Sequence, residues 1–318
     1  MNKQNEWLLA GLALAPAALS FGLSDYFLRT ATARTQPKSL QLIANLLQGI
    51  KKGEDPYAGL GPDQERLRLS PHETVRITAH DGVELVGHWF ERPGAQRVIL
   101  AVHGWRSLWY RDFGASRDFY RDEHCHVLYI EQRGQGASGG DYIGFGMLER
   151  LDLPDWVAWI NGRCGGELPI YLAGISMGAT TVLLAADLDF PRNVKGVMAD
   201  CGFTSADAIW RHVANDNLHV PYALLRVPSA LMCRRRLGFW PGALTTTDAL
   251  RRTHLPLLLI HGEADAFVPV GMTRENFAAC PTPKRMLLVP GAAHGLSYLV
   301  DRAAYEDAIR AFWRDCEA

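Results

Sequence analysis

A serine set between two glycines, an acid and a histidine each just past an apolar run: these residues could together turn an alcohol into a nucleophile. The run Tyr171-Leu172-Ala173 leads into Gly174-Ile175-Ser176-Met177-Gly178, and a small-residue apolar segment, Ala179 to Leu188, comes next. A sharp strand-to-helix turn of this kind pushes the serine hydroxyl out above a sheet, and the glycines leave room for the turn to tighten. The pattern alone is cheap. With glycine and serine at about 7% each, a chain of this length shows it by chance about one time in ten. Its weight comes from two residues downstream. Serine needs a base within hydrogen-bond reach, and that base needs an acid to fix its tautomer. The apolar run Leu257 to Ile260 passes into His261-Gly262-Glu263-Ala264-Asp265-Ala266-Phe267-Val268-Pro269, and Met286 to Val289 passes into Pro290-Gly291-Ala292-Ala293-His294-Gly295. Asp265 and His294 thus come after successive strands, on the edge where open α/β sheets build their sites. Glu263 is the competing acid; Asp265 is preferred because Val268-Pro269 should turn the chain just beyond it.

An oxyanion formed on attack needs donors. The backbone N–H of Met177, next to the serine at a helix N-terminus, is one candidate. The second is the amide of Trp105, in the loop His103-Gly104-Trp105 after the run Val98 to Val102, with Gly104 allowing close approach. His103 reads as a structural residue of that loop. Trp109 and Tyr110 are candidates for lining a substrate pocket, together with Trp210 and Tyr222 further along.

The elements that must position these groups can be read from periodicity. Val75, Ile77, Val83, Leu85 and Trp89 fit a hairpin around His80-Asp81-Gly82. Continuous apolar runs at Val98 to Val102, Val127 to Ile130, Ile170 to Ala173, Val194 to Ala199, Leu257 to Ile260 and Met286 to Val289 suit parallel strands covered on both faces. Helical stretches at about 112–123, 148–162, 179–188, 271–279 and 301–316 alternate with them, which predicts an α/β fold with a mostly parallel sheet. Phe203 to Leu250 breaks the alternation. It holds no convincing strand but carries Trp210, His212, Tyr222, Phe239 and Trp240. A lid is expected there, the alternative being ordinary helices that close one side of the core.

Composition sets the outer limits. Hydrophobic residues make up 48% of the 318 and charged residues 21%, and the net charge is -1. This is a globular composition with no electrostatic footprint for nucleic acid. The dense basic run Arg234-Arg235-Arg236, with Arg226 nearby, reads as a solvated helix end or as a phosphate or lipid site. Six scattered cysteines show no metal-ligand spacing.

The N-terminus differs from the rest. Trp7 to Leu23 is apolar apart from Ser20 and is interrupted by Pro16. It can be read as an uncleaved membrane anchor, as a signal peptide with cleavage candidates at Ala15 to Ala17 or Ala31 to Ala33, or as an apolar helix packed on the domain. Arg29, Arg34 and Lys38 behind the span favour a cytoplasmic body if it is an anchor. The expected organisation is an N-terminal segment over 1–28, a linker over 29–72 with a helix at Ser39 to Ile50, and the main domain over 73–318, with a lid insertion at 203–250.

Taken together, His103-Gly104, Arg133-Gly134-x-Gly136-x-Ser138, Gly174-x-Ser176-x-Gly178, His261-Gly262-x-x-Asp265-x-x-Val268-Pro269 and His294-Gly295 resemble the α/β-hydrolase superfamily over residues 73 to 316. Within it the chain is similar to bacterial, N-terminally anchored members with serine-aminopeptidase-like domains. The resemblance implies the α/β-hydrolase fold, a Ser176–Asp265–His294 triad, no cofactor and no metal, and a small acyl or ester substrate. Glu131 departs from the aspartate that relatives commonly carry before the Arg-Gly turn; the position is structural. Ester hydrolysis is the leading expectation. A peptidase would need a lid acid for a substrate amine, for which Asp207 and Asp216 are candidates. The third reading is a membrane-tethered binding protein without catalysis.

Overall fold

The computed structural model describes residues 3–35 and 61–318, with side chains from residue 18 onward. Eight strands form one sheet: β1 (Glu73–Thr78), β2 (Glu84–Phe90), β3 (Arg97–Val102), β4 (Cys125–Glu131), β5 (Ile170–Ile175), β6 (Val194–Asp200), β7 (Leu257–Gly262) and β8 (Lys284–Val289). Their spatial order is β1-β2-β4-β3-β5-β6-β7-β8. β2 pairs antiparallel with both β1 and β4, and every other pairing is parallel. The apolar runs of the sequence are these strands. β3 and β7 are buried along their whole length, as unbroken Val/Leu/Ile runs require when helices cover both faces.

The flanking helices supply that cover. On one face α5 (Leu153–Cys164) and α6 (Met177–Ala185) bury Trp156, Val157, Ile160, Val182 and Leu183, joined by α9 (Thr246–Arg252) and α10 (Val270–Ala279). The other face carries α2 (Gly61–Leu69), α3 (Trp109–Phe113), α4 (Arg117–Asp122) and α12 (Arg302–Glu317), with the short α11 (Ser297–Val300) beside it. α12 buries Tyr305, Ile309, Phe312 and Trp313, the spacing of one helical face.

Two further helices lie over the carboxyl ends of the strands. α7 (Ala206–His212) and α8 (Tyr222–Leu237) fall in the interval between β6 and β7, where no strand occurs. α9 closes that interval as an ordinary crossover helix packed on α6 and α10. α1 (Lys3–Thr32) runs alongside α8. The Ser24 hydroxyl donates to the Leu225 carbonyl at 3.3 Å, Asp25 pairs with Arg236, and Leu28 is fully buried. A third apolar cluster, with Leu28, Phe145, Trp210, Leu225 and Cys233, fills the space beneath this layer. Among the described residues no helix is long and apolar enough to cross a membrane. The helix expected at Ser39 to Ile50 lies outside the described residues.

Candidate active site

Ser176 is the last residue before α6 and sits at φ 57°. For a residue with a Cβ this left-handed backbone is strained, and the neighbouring glycines show what holds it. A Cβ on Gly174 would drive into the Gly178 carbonyl, and one on Gly178 into the Val102 carbonyl. The turn can therefore close only with glycine at both places. The Ser176 amide also donates to the Asp200 carbonyl at 2.8 Å, which ties the elbow to the end of β6.

The other two residues arrive from β7 and β8. His294 Nε2 lies 2.9 Å from Ser176 Oγ, and Nδ1 lies 2.7 Å from Asp265 Oδ2. The amides of Phe267 and Val268 both donate to Asp265 Oδ1 at 2.8 Å. Val268-Pro269 therefore does turn the chain around the acid. His261 adds a donor: Nε2 is 2.9 Å from the Val268 carbonyl and 3.2 Å from Asp265 Oδ2, while Nδ1 is 2.6 Å from the Thr273 hydroxyl. A carbonyl can only accept, so His261 carries its proton on Nε2 and stabilises the carboxylate. Burial alone would raise the Asp265 pKa. The His294 charge and the hydrogen bonds from His261, His294 and Val268 outweigh it and hold the acid well below the usual carboxylate range. Burial pushes His294 down, but the facing Asp265 carboxylate, with Asp200 and Asp112 further off, more than compensates, and its pKa ends raised. Glu263 is solvent-facing, 3.6 Å from Arg274, and takes no part.

The loop after β3 closes the other side of the serine. A Cβ on Gly104 would meet the Ser176 Cβ at 3.3 Å. In this loop the Gly104 amide donates to Asp112 Oδ2 at 2.6 Å and the Arg106 amide to Gln135 Oε1 at 2.6 Å. The amide between them, that of Trp105, has no partner among the described residues, and neither does that of Met177. His103 is buried below. Its Nδ1 bonds the Gly104 carbonyl at 2.8 Å and its Nε2 accepts from the Gln132 amide at 3.2 Å. Burial lowers its pKa, so it stands as a neutral strut.

An apolar cavity of about 290 Å³ opens onto Ser176. Trp105 and Trp210 line it, as do Phe145, Phe203 and Phe267. One further wall comes from the interval between β6 and β7, with Ile209, Val213 and Leu225, and another from α1, with Leu23, Tyr26, Phe27, Thr30 and Ala31. The end of this helix is bolted to the loop that carries the Trp105 amide. Trp105 Nε1 donates to the Ala31 carbonyl at 2.7 Å, and the Arg106 guanidinium to the Thr30 and Ala33 carbonyls at 2.9 and 2.5 Å. A guanidinium at carbonyls left open by a helix C-terminus is a favourable cap. Burial lowers the Arg106 pKa to about 10.

Three sequence expectations for the pocket are corrected. Trp109 is buried against the sheet, stacked on His88 and Tyr129 with centroids 4.3 and 5.5 Å away. Tyr110 packs beside it, edge-on at 5.3 Å. Both lie on α3, which is turned to the sheet face and not to the serine. Tyr222 is buried under the helical layer with its hydroxyl on Asp207 at 3.0 Å. The sequence reading missed Phe145, Phe203 and Phe267, and Leu23, Tyr26 and Phe27 on α1, apolar side chains for which nothing local specifies a partner. Glu131 bonds His88 Nε2 at 2.8 Å and the Ala137 amide, a structural place as expected.

The α/β hydrolase fold family model matches residues 97–252. A Bacillus subtilis protein of uncharacterised function, YqkD, is 25% identical over 61% of this chain and 63% of its own length, so the chain spans just under two thirds of that relative. A non-heme haloperoxidase of Rhodococcus erythropolis is 24% identical over 69% of this chain and 92% of its own. Among solved structures, a Pyrococcus furiosus esterase superposes with a TM-score of 0.62 at 21% identity, covering 78% of this chain and 92% of the esterase.

Proposed function

From the premise of an α/β-hydrolase fold, supported by the family model and the solved structures, we propose that the protein is a serine hydrolase cleaving an apolar carboxylic ester or related acyl compound. One observation carries this: the continuous chain Asp265–His294–Ser176, at 2.7 and 2.9 Å, at the floor of an apolar cavity. Ionised Asp265 accepts from Nδ1–H of His294, which leaves Nε2 free to take the Ser176 proton. The alkoxide attacks the carbonyl carbon, and the amides of Trp105 and Met177 receive the negative oxygen. His294 then protonates the departing alcohol, and water, activated by the same imidazole, releases the acid.

The rival reading, a peptidase for short peptides, needs an acid free to hold a substrate amine. Asp207 is engaged by Tyr222 and Arg211, and Asp216 lies 2.7 Å from His212. Neither lines the cavity, so the ester reading is favoured.

The test is covalent labelling with a fluorophosphonate, followed by turnover of p-nitrophenyl esters of rising chain length beside aminoacyl-anilides. Labelling confined to Ser176, with esters of medium acyl length turned over faster than acetate, is the expected result. No labelling at neutral pH would overturn the enzyme reading, and faster anilide cleavage would replace the ester with a peptide bond.

A further inference from the structure

The helical layer over the site carries more exposed apolar surface than a soluble lid requires. On α8, Leu224, Val227 and Leu231 are 59%, 65% and 47% exposed. Their i, i+3, i+7 spacing puts them on one face. On α1, Leu19, Leu23 and Tyr26 form a matching outward row at i, i+4, i+7, with Leu19 65% exposed. The two rows are adjacent, because the Ser20 hydroxyl donates to the Leu224 carbonyl. The result is an apolar surface shared by two packed helices, of the kind that marks an interaction site.

Its charge says what covers it. α8 contains four arginines and no acidic residue. Arg226, Arg234 and Arg235 are exposed along the edge of the apolar face, Arg226 with its Nε 3.7 Å from Asp207. Arg236 is taken by Asp25, and Arg234 reaches back to the Gly238 carbonyl at its own helix end. In a chain of net charge -1 this is a local concentration of positive charge. An apolar helix face with a cationic border lies in the plane of an anionic lipid surface. α1 fits the same mode, since the packed end of the helix holds it against α8.

We propose that the outer face of α1 and α8 docks on an anionic lipid bilayer, and that the acyl substrate passes from the bilayer into the cavity. Leu23 and Tyr26 belong to both surfaces: they stand in the exposed row and line the cavity. A chain leaving the lipid therefore meets continuous apolar surface down to Ser176. The route rests on the serine-hydrolase reading; the docking does not.

The full chain is floated with vesicles of phosphatidylcholine and with vesicles of phosphatidylcholine mixed with phosphatidylglycerol. Binding is expected to the mixed vesicles. The pair Arg234→Gln and Arg235→Gln should weaken it about 30-fold, since each basic residue at such a surface contributes about fivefold. The triple variant Leu224→Asp, Val227→Asp, Leu231→Asp should abolish it. Both variants should keep the wild-type rate of fluorophosphonate labelling and of soluble p-nitrophenyl acetate turnover, while losing hydrolysis of a long-chain ester carried in the anionic vesicles. Absence of labelling in every protein, with vesicle binding behaving as stated, would sink the hydrolase reading and leave the docking standing. Wild-type protein that ignores the mixed vesicles overturns the docking. So does binding untouched by both variants, which would make the N-terminal part of α1 the whole attachment. A concentration-dependent dimer dissolved by the triple variant, with no vesicle binding, would give the face to a second copy instead.

Discussion

The rim of the sheet and the helical layer above it hold their residues by different means. At the rim, Ser176 directly follows β5, Asp265 and His294 lie on the short loops after β7 and β8, and the parallel ladder β5-β6-β7-β8 fixes how those strand ends sit. Little freedom is left once the strands are in register. The layer is joined instead by side chains reaching across some 200 residues of sequence, Ser24 to the Leu225 carbonyl and Asp25 to Arg236. The first arrangement suits chemistry, which fails with small displacements. For the proposed hydrolase, the second would suit selection among apolar acyl groups, where pockets discriminate weakly and tolerate change.

That division can be broken most sharply at the rim. Ser176→Ala or His294→Ala is expected to lower kcat by about 10⁴–10⁶ with the melting temperature nearly unchanged. A residual rate within a hundredfold of wild type, measured on the best ester, would place the nucleophile elsewhere. Asp265→Asn should cost about 10⁴, whereas Glu263→Gln should cost less than about threefold. The pH profile gives an independent sign. His294 must be neutral to act as a base, and its pKa is raised, so kcat/KM should climb with pH through a midpoint above the ordinary histidine value of about 6.5. In Asp265→Asn the midpoint should move down, because the carboxylate that favours the imidazolium is gone.

Arg106 tests the join between the two regions. It fixes the loop of the Trp105 amide to the last carbonyls of α1. Arg106→Ala should lower kcat about 100-fold at nearly constant KM, as loss of one oxyanion donor does, with Arg106→Lys recovering part of it. A pure KM effect would show that the contact shapes only the cavity. Phe27→Ala, wholly within the layer, should change specificity and little else. About tenfold in kcat/KM should be lost on long acyl chains and almost nothing on acetate; equal losses on both would mean that α1 supports the rim as well. The smallest effect on turnover belongs to Trp109, which lies in the core of the sheet face. Trp109→Ala is expected to destabilise by about 3–5 kcal/mol in denaturant unfolding while the surviving folded protein turns over normally.

The contrast also explains what could be read from the sequence. The strands were legible because burial on both faces leaves an unbroken apolar run, and the elbow because Gly174 and Gly178 answer a steric demand within a few residues. Asp265 over Glu263 was legible from Val268-Pro269, whose turn delivers two amides to the acid. Trp109 and Tyr110 misled because an aromatic near the loop after β3 has the same letter whether it faces the serine or the sheet. Only the rotation of α3 decides.

What the sequence determined by itself, then, is the sheet and the three residues on its rim, since each arises from a local period or a local turn. The tertiary structure alone decided that α1 forms a wall of the cavity, that Trp105 and Arg106 are tied to its end, and that its outer face continues onto α8. These are contacts between segments far apart in the chain, made by apolar side chains that would pack against almost any apolar neighbour. Hydrophobic attraction has no direction, so their partners are chosen by how the rest of the fold brings the surfaces together.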